Sequence, residues 1–267
     1  MPVRVVTDSS AGLPKDLAED LEITVLPLHV MSRGGATSTA GLTALELTAA
    51  YARQLERGND DGVLALHLSK ELSSTWTNAV TAAGVFDGTV HVVDTNSAGM
   101  AIGAAAMAAA KLAKQGEDLE TCYQAAIDTL ERAELYLYLH RVDDLRKSGR
   151  LSATTALMSS ALATRPIMTL REGRVELAAK TRTQTKAFIK LVEMIAEKAS
   201  GQPVFIAIQH TEAREAANTL LKTMQAVLHV DSSYVLTDLD EAISTHVGPG
   251  ALAIAVVYPQ TVTHPQA

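Results

Sequence analysis

The sequence predicts an α/β protein of two domains, with helices layered on a mostly parallel sheet in the first and a separate α/β arrangement in the second. Short apolar runs alternate with helix-length segments along the first half, and strands joined by helical crossovers form parallel sheets. In the second half, two short strands that meet at a tight turn interrupt this alternation. We therefore expect an N-terminal domain over residues 1–143 and a C-terminal domain over residues 144–267.

Buried strands and amphipathic helices account for the predicted N-terminal domain. Strand-like apolar runs lie at residues 3–7, 23–30, 62–69, 89–95 and 135–141. Helical periodicity covers residues 42–58, 72–84, 97–116 and 118–133. The helix at 97–116 is rich in Ala and Gly, which either leave room beside the sheet or pack tightly against it, and its Met100 and Met107 are flexible side chains that fill gaps.

The C-terminal domain begins with a turn-rich stretch and a small-residue helix predicted over 153–163. Two strands, 165–171 and 174–180, form a hairpin across Glu172-Gly173. The remaining predicted elements are a helix at 184–200, a strand at 203–209, a helix at 212–228, a strand at 233–237 and a closing apolar run at 251–258.

Composition and charge exclude some classes of function. The net charge is −7 and aromatic residues make up 4% of the chain. Nucleic-acid binding needs a basic groove and aromatic stacking platforms, so we expect no nucleic-acid partner. Residues 141–190 depart from this balance, with 11 Lys and Arg against four Asp and Glu. This segment is either a solvated face, a basic rim around an anionic ligand or a docking face for an acidic partner.

The sequence favours a cytoplasmic protein. It contains one cysteine, Cys122, which rules out an internal disulfide and fits a reducing compartment. The longest small-apolar stretch, residues 98–110, is shorter than the roughly 20 residues needed to cross a bilayer. A strand-like segment follows Met1-Pro2 directly, so we expect no signal peptide.

The histidine ahead of Gly-Pro-Gly, His246, has four candidate roles: catalytic base, metal ligand, hook for an anionic ligand, or polar residue at a strand end. The eight histidines show no H-x-x-H or H-E-x-x-H spacing, and a single cysteine cannot build a thiolate zinc site. The serine-hydrolase elbow and the phosphate-binding P-loop are also missing from the sequence. We expect neither a metal nor a cofactor.

Hydroxyl-rich stretches cluster at the ends of the predicted strands. They lie at residues 7–10, 36–41, 67–75 and 93–97. Ligands of open α/β sheets bind beyond the carboxyl ends of the strands, although Ser and Thr in such places also act as helix N-caps. Four clusters favour a convergent polar site. Arg150 and Arg182 add donors suited to a carboxylate or a phosphate, or else form surface ion pairs.

Eight motifs stand in an order typical of one protein family: TDSSAGLP, VLPLHV, HLSKELSSTW, VVDTNSAGMAIG, LRKSGRLS, RPIMTL, AKTRTQ and HVGPGA. Together they resemble the DegV family from Val3 to about Val257, nearly the whole chain. That family includes the fatty-acid-binding subunit of bacterial fatty acid kinase. The resemblance implies two α/β domains that enclose a fatty acid in a tunnel between them, with its carboxylate held by polar residues near the opening.

The resemblance also implies roles for individual residues. The ligand-binding residues it implies are Thr37, Ser38, Ser69, Ser73, Thr95 and His246. Arg150 and Arg182 match arginines near the mouth that serve the kinase-dependent step. By this resemblance, His246 binds the anionic head group of the ligand. The implied function is that of a non-catalytic carrier of a long-chain fatty acid, whose carboxylate a separate kinase subunit phosphorylates. Transient contact with a membrane is compatible with this role.

Several residues depart from the family pattern. TSTAG replaces the commoner TSQPS, Ser74 and Ser148 replace glycines, and the segment before Thr37 is short. The acyl length is therefore not implied. Two other functions stay open. One is a serine hydrolase that uses Ser69 or Ser73 with His246 and an aspartate, either Asp94 or Asp8. The other is a lipid-sensing binding module.

Overall fold

Two large β-sheets, a separate two-stranded hairpin and the surrounding helices form the part of the chain that the computed structural model describes, residues 3–33, 36–151 and 165–260. The strands are β1 (Arg4–Asp8), β2 (Thr24–Leu26), β3 (His29–Arg33), β4 (Ala36–Ala40), β5 (Val63–Leu66), β6 (Val90–Val93), β7 (Ala133–Tyr138), β8 (Arg165–Arg171), β9 (Arg174–Thr181), β10 (Phe205–His210), β11 (Ser233–Asp238) and β12 (Leu252–Val257). The helices are α1 (Lys15–Asp20), α2 (Ala44–Arg57), α3 (Thr75–Ala83), α4 (Met100–Gln115), α5 (Leu119–Glu131), α6 (Asp143–Lys147), α7 (Gln184–Ala199), α8 (Arg214–Val227) and α9 (Glu241–Val247).

The first sheet is the predicted parallel layer. Its four strands lie in the order β2-β1-β5-β6, and every neighbouring pair is parallel. Helices α4 and α5 share an apolar core with one face of this sheet, and α2 and α3 share another with the opposite face. Burial on both faces explains why β5 reads as a continuous apolar run, Val-Leu-Ala-Leu.

The second sheet has six strands in the order β11-β10-β12-β7-β8-β9. Only β10 and β11 pair in parallel; the other neighbours are antiparallel. Helices α7 and α8 pack on one face of this sheet, and the other face is turned toward the first half of the chain. The fold is therefore mixed α/β with two separate sheets, as the sequence predicts.

One predicted strand changes sheet. Residues 135–141 read as the last strand of the N-terminal layer, but β7 (Ala133–Tyr138) lies in the second sheet, antiparallel to β12 and β8. The apolar pattern of a strand identifies it as buried and does not identify its neighbours, which are set by long-range pairing. The boundary between domains near residue 143 stays a prediction.

A small hairpin, β3–β4, was not predicted. The sequence suggested one strand over 23–30 and a hydroxyl-rich loop over 36–41. Instead, the strand is divided into β2 and β3 around Pro27, which has no N–H for a ladder, and β3 pairs with β4 from His29↔Ala40 onward. The short helices α1, α6 and α9 were also missed, and the helix predicted at 153–163 lies outside the described residues.

A side chain from the second sheet caps a helix of the first half. Gln209 on β10 is buried, and its Oε1 accepts a hydrogen bond of 2.9 Å from the N–H of Met100, the first residue of α4. Gly99 precedes that residue with a φ of 60°, and a Cβ there would lie 2.8 Å from Gln209 Oε1. Glycine is required at this close approach. Among the described residues, no helix is both long and apolar enough to cross a membrane.

Candidate functional site

A cavity of about 430 Å³ lies between the two sheets. Its apolar wall combines the inner face of the second sheet with the ends of elements in the first half. This wall includes Leu68, Leu72, Ala98, Leu135, Leu137, Leu170, Val175 and Ala253. A cavity of this size, mostly apolar with a few polar groups, is the usual form of a small-molecule site.

The polar part of the wall is centred on Thr39 and His246. The Thr39 hydroxyl and the His246 Nε2 are joined by a hydrogen bond of 2.7 Å, and both residues line the cavity. Thr39 comes from β4, and His246 lies in the last turn of α9 rather than in a loop before a strand. Burial, and then the nearby guanidinium of Arg150, lower the pKa of His246 to about 4, so the imidazole is neutral near pH 7.

Further polar residues surround this pair. Ser73, Ser74 and Asn78 line the cavity from the start of α3. The Asn78 amide donates to the carbonyl of Leu42 at 2.7 Å, so α3 is tied to the segment after β4. Arg150 also lines the cavity, and its Nη1 donates to the Ser148 carbonyl at 2.6 Å. Neutral donors and one cation therefore face an apolar space, which suits an anion with a long apolar tail.

Two predicted binding residues are buried close to the cavity but engaged elsewhere. The Ser69 hydroxyl donates to the carbonyl of Gly173 at 3.2 Å. The Thr95 hydroxyl donates to the carbonyl of His67 at 2.7 Å. Leu68 and Leu72, on either side of Ser69, line the cavity, whereas neither hydroxyl-bearing residue is among the described lining residues. Ligand binding by Ser69 and Thr95 stays a prediction.

Three other predicted residues lie on the surface. Thr37 and Ser38 are exposed on β4, farther from the cavity than Thr39 along the same strand. Arg182 is exposed immediately after β9, at the end of the β8–β9 hairpin opposite to its turn. Their ligand and partner contacts stay predictions. The residues that the structure brings together from the prediction are Ser73, Arg150 and His246.

Thr39 is the residue that the sequence interpretation missed. It carries the same side chain as Thr37 and lies two positions later, closer to the start of α2 at its N-cap Thr43. The capping box of Thr43 and Glu46 could have pointed to Thr39. It marks the start of α2, and the residues just before a helix start are the ones at the end of the preceding strand. Met100 and Met107 are not among the described residues that line the cavity, which Ala98 and Gly99 reach just before the start of α4.

A buried hydrogen-bond network supports the loop that carries Ser69. The Asp8 carboxylate accepts from the Leu68 N–H at 3.1 Å and contacts His67 Nδ1 at 3.0 Å, and His67 Nε2 lies 2.8 Å from the Tyr51 hydroxyl. Burial opposes ionisation of Asp8, but hydrogen bonds from His67, Ser10 and Leu68 hold its pKa below the ordinary value. The network joins β1, β5 and α2 at the edge of the sheet that faces the cavity.

The residues of the alternative serine hydrolase are not joined into a catalytic triad in the described part of the chain. No hydrogen bond among the described residues joins Ser69 or Ser73 to His246. Asp8 is engaged by His67, and Asp94 pairs with Lys70 at 2.5 Å. In residues 3–33, 36–151 and 165–260, no three His, Cys, Asp or Glu side chains are grouped so that they could hold a metal ion.

Comparisons with known proteins identify the family. The family model described as "Uncharacterised protein, DegV family" matches residues 31–259. A DegV domain-containing protein of Corynebacterium glutamicum is 60% identical over 259 residues, which cover 97% of this chain and 94% of that protein.

The chain belongs to the DegV family.

Solved DegV structures share the fold. A DegV family protein from C. glutamicum superposes with a TM-score of 0.95 at 59% identity, covering 98% of this chain and all of that one. A DegV family protein from Thermus thermophilus, whose structure is described as showing fatty acid binding, has a TM-score of 0.89 at 26% identity. The match covers 97% of this chain and 100% of that one. Bacillus subtilis DegV, described as a fatty acid binding protein, has a TM-score of 0.86 at 27% identity, with coverage of 97% and 100%.

Proposed function

We propose that this protein binds a long-chain fatty acid in the cavity between its sheets, presents the carboxylate to a separate fatty acid kinase, and carries the resulting acyl-phosphate. The observation that carries the proposal is the cavity itself: an apolar wall with Thr39, His246 and Arg150 grouped in its polar part. The two fatty-acid-binding DegV proteins described above share this fold over nearly the whole chain.

The energetics suit such a ligand. Burial of about 14 methylene groups, at roughly 0.8 kcal/mol each, contributes about 11 kcal/mol before the costs of association. The carboxylate must be compensated, because an unpaired buried charge is strongly unfavourable. The Thr39 hydroxyl, the His246 imidazole and the Arg150 guanidinium supply donors, and each hydrogen bond to a charged group contributes about 1.5–3 kcal/mol.

In this proposal the protein contributes binding and orientation, and the kinase contributes nucleotide and metal. It acts without a cofactor of its own. Arg150, at the cavity, stabilises the negative charge that grows on the head group during phosphorylation, and the exposed Arg182 docks the kinase. The carrier works in the cytoplasm, a location that its single cysteine favours.

The test of binding is native mass spectrometry of the freshly purified protein, followed by extraction and identification of any lipid. We expect a near-stoichiometric fatty acid that is lost from the Thr39→Val, His246→Gln double variant. The matched control is Thr219→Val, His229→Gln, which makes the same two changes at exposed residues away from the cavity and should retain the lipid. Thr37→Val, Ser38→Ala tests separately whether these two predicted ligand residues of the same hairpin also hold the lipid. A wild-type protein that stays empty after incubation with a panel of fatty acids would contradict the proposal.

The kinase step has its own test. Arg182→Ala should reduce phosphorylation of the bound fatty acid by an added bacterial fatty acid kinase without changing the fatty acid content. A parallel loss of lipid would remove the docking role of Arg182. Hydrolysis of p-nitrophenyl esters by the wild type, abolished in Ser69→Ala, would instead favour the serine hydrolase.

A further inference from the structure

The tip of the β8–β9 hairpin, residues 171–174, reaches from the second sheet to the first half of the chain. Glu172 and Gly173 have φ angles of 49° and 76°, the left-handed backbone of a tight two-residue turn. Gly173 is buried although Glu172 and Arg174 on either side are exposed. The turn is therefore packed into the protein and is not held out in solvent.

Two contacts hold the hairpin tip against the loop that follows β5. The Ser69 hydroxyl donates to the Gly173 carbonyl at 3.2 Å, and Arg174 Nε lies 2.8 Å from Glu71 Oε2. A Cβ at position 173 would overlap Ser69 Oγ and lie 3.2 Å from Asn96 Oδ1. The first contact is a neutral hydrogen bond, and the second is an ion pair whose arginine is 70% exposed, so both can break readily.

The same hairpin forms part of the cavity wall. Leu170 and Val175 are paired across the strands next to the tip, and both line the cavity. On the facing loop, Leu68 and Leu72 line the cavity on either side of Ser69. The hairpin tip and the facing loop therefore meet beside the cavity wall, between the two halves of the chain.

The hairpin is also linked to Arg150. Val175 forms an isolated parallel bridge with Leu151, the residue that follows Arg150. A movement of the hairpin consequently displaces the backbone next to the arginine of the cavity wall. The bridge therefore links the hairpin directly to the segment that carries this guanidinium.

We propose that the hairpin tip is a gate on the cavity, an inference that rests on the proposed binding of a fatty acid. The ligand enters or leaves while the Ser69–Gly173 hydrogen bond and the Glu71–Arg174 ion pair are broken. A carboxylate is a stronger acceptor than a peptide carbonyl, so an incoming head group competes with Gly173 for the Ser69 hydroxyl. The surface ion pair makes the opening sensitive to salt.

The chain contains a reporter beside the gate. Trp76 is the single tryptophan, and Lys70, adjacent to Glu71, has its Nζ 5.0 Å from the indole ring centre. Ligand release is measured in a stopped-flow instrument as the loss of energy transfer from Trp76 to bound cis-parinaric acid, a fluorescent fatty acid. The acceptor for the released probe is an excess of phosphatidylcholine vesicles.

We expect Glu71→Gln and Arg174→Gln each to accelerate release by about 1.5-fold to fivefold, the range that an exposed ion pair supplies. The double variant should be no faster than either single variant, because one interaction has been removed in all three. Release from the wild type should accelerate with salt, and release from the variants should not. The control is Arg171→Gln, which removes the same charge from the hairpin tip but contacts Glu176 within the hairpin at 3.8 Å. It should release the probe at the wild-type rate.

Equal release rates in the wild type and both single variants, or the same salt dependence in all of them, would overturn the gate. Equilibrium binding of cis-parinaric acid separates this failure from failure of the proposed function. A protein that binds the probe stoichiometrically but releases it without regard to Glu71 and Arg174 has no gate at this hairpin. A protein that binds neither the probe nor any other fatty acid contradicts the carrier function as well.

Discussion

Thr39 and His246 are 207 positions apart in the sequence, and their side chains meet through a hydrogen bond of 2.7 Å in the wall of the cavity. Thr39 is carried by β4 of the small hairpin, and His246 by the last turn of α9. The contact therefore joins the small β3–β4 hairpin to helix α9 at the polar part of the cavity wall. It supplies the first prediction.

Thr39→Val should weaken fatty acid binding by about tenfold or more, since a hydrogen bond to a charged group contributes about 1.5–3 kcal/mol. Valine has a similar shape, so the hydroxyl is the main change. Titration with sodium palmitate, followed by calorimetry, measures the effect. Thr37→Val makes the same change two positions earlier on the same strand and separates the two candidate hydroxyls, because weaker binding in Thr37→Val alone would place the carboxylate at Thr37. Equal weakening in the two variants would show that the hairpin, and not the Thr39 hydroxyl, sets the affinity.

The stability of the protein should fall as the pH drops from about 6.5 toward 4 because of His246. Its pKa is 6.5 as an ordinary group and about 4 in the fold, lowered first by burial and then by Arg150. In this window the unfolded chain binds a proton that the folded chain does not, so acid favours unfolding.

Urea unfolding at about pH 7.5 and about pH 5 tests this effect, above the range in which depressed carboxyl groups titrate. We expect the wild type to lose more stability between the two conditions than His246→Gln, which has no imidazole to protonate. Identical losses in the two proteins would show that His246 is not the group responsible.

Glu134 should stabilise the junction of β7, α7 and the end of β12. Its carboxylate accepts from Lys198 Nζ at 2.6 Å, from the Tyr136 hydroxyl at 2.5 Å and from the Tyr258 hydroxyl at 3.1 Å. Burial opposes ionisation, but these donors hold the pKa of Glu134 below its ordinary value. The stabilisation is thus complete above about pH 4.5 and is lost as the pH falls through the lower pKa of the folded state.

Glu134→Gln should cost about 1–3 kcal/mol of unfolding free energy near pH 7, because Lys198 loses its charged partner. The difference from the wild type should shrink in acid, where the wild-type carboxyl is protonated. Glu131→Gln is the control: Glu131 is exposed at the end of α5 and has no hydrogen-bond or ion-pair partner among the described residues. A difference for Glu134→Gln that is independent of pH would contradict the charge-based account.

Tyr51→Phe should destabilise the protein by about 1–3 kcal/mol because it leaves the buried Nε2 of His67 without its partner. Thermal unfolding measures the loss. Tyr123→Phe provides the comparison, since the Tyr123 hydroxyl has no hydrogen bond within the described ranges, while its ring packs against His91 and the neighbouring apolar core in both proteins. Equal effects of the two substitutions would mean that the network around Asp8 contributes little.

Elements defined by local patterns were predicted well. The helix expected at 184–200 is α7 (Gln184–Ala199), and the hairpin expected at Glu172-Gly173 is formed by β8 and β9. A helical period and the chemistry of a tight turn are properties of a few consecutive residues, so they can be read without knowledge of the rest of the fold. The convergence of the four hydroxyl-rich stretches on one ligand stays a prediction, although Thr39 of the second stretch and Ser73 of the third both line the cavity.

Choices between similar residues required the tertiary structure. Thr37 and Thr39 share one face of β4 and the same chemistry, and only the meeting of the hairpin with α9 selects Thr39. Ligand binding by Ser69 stays a prediction, and only the tertiary structure shows that its hydroxyl donates to the Gly173 carbonyl, 104 residues away in sequence. Strand β7 belongs to the second sheet because it pairs with β12, a contact between segments far apart in sequence.

By itself, the sequence determined most of the longer helices and strands and that the chain builds an α/β protein. The tertiary structure alone decided three further points. The Thr39 hydroxyl lies at the cavity, the Ser69 hydroxyl is bonded to the hairpin tip, and β7 belongs to the second sheet. The physical reason is range: backbone propensity and apolar periodicity act between neighbours in the chain, whereas strand pairing and side-chain contact depend on segments far apart in sequence.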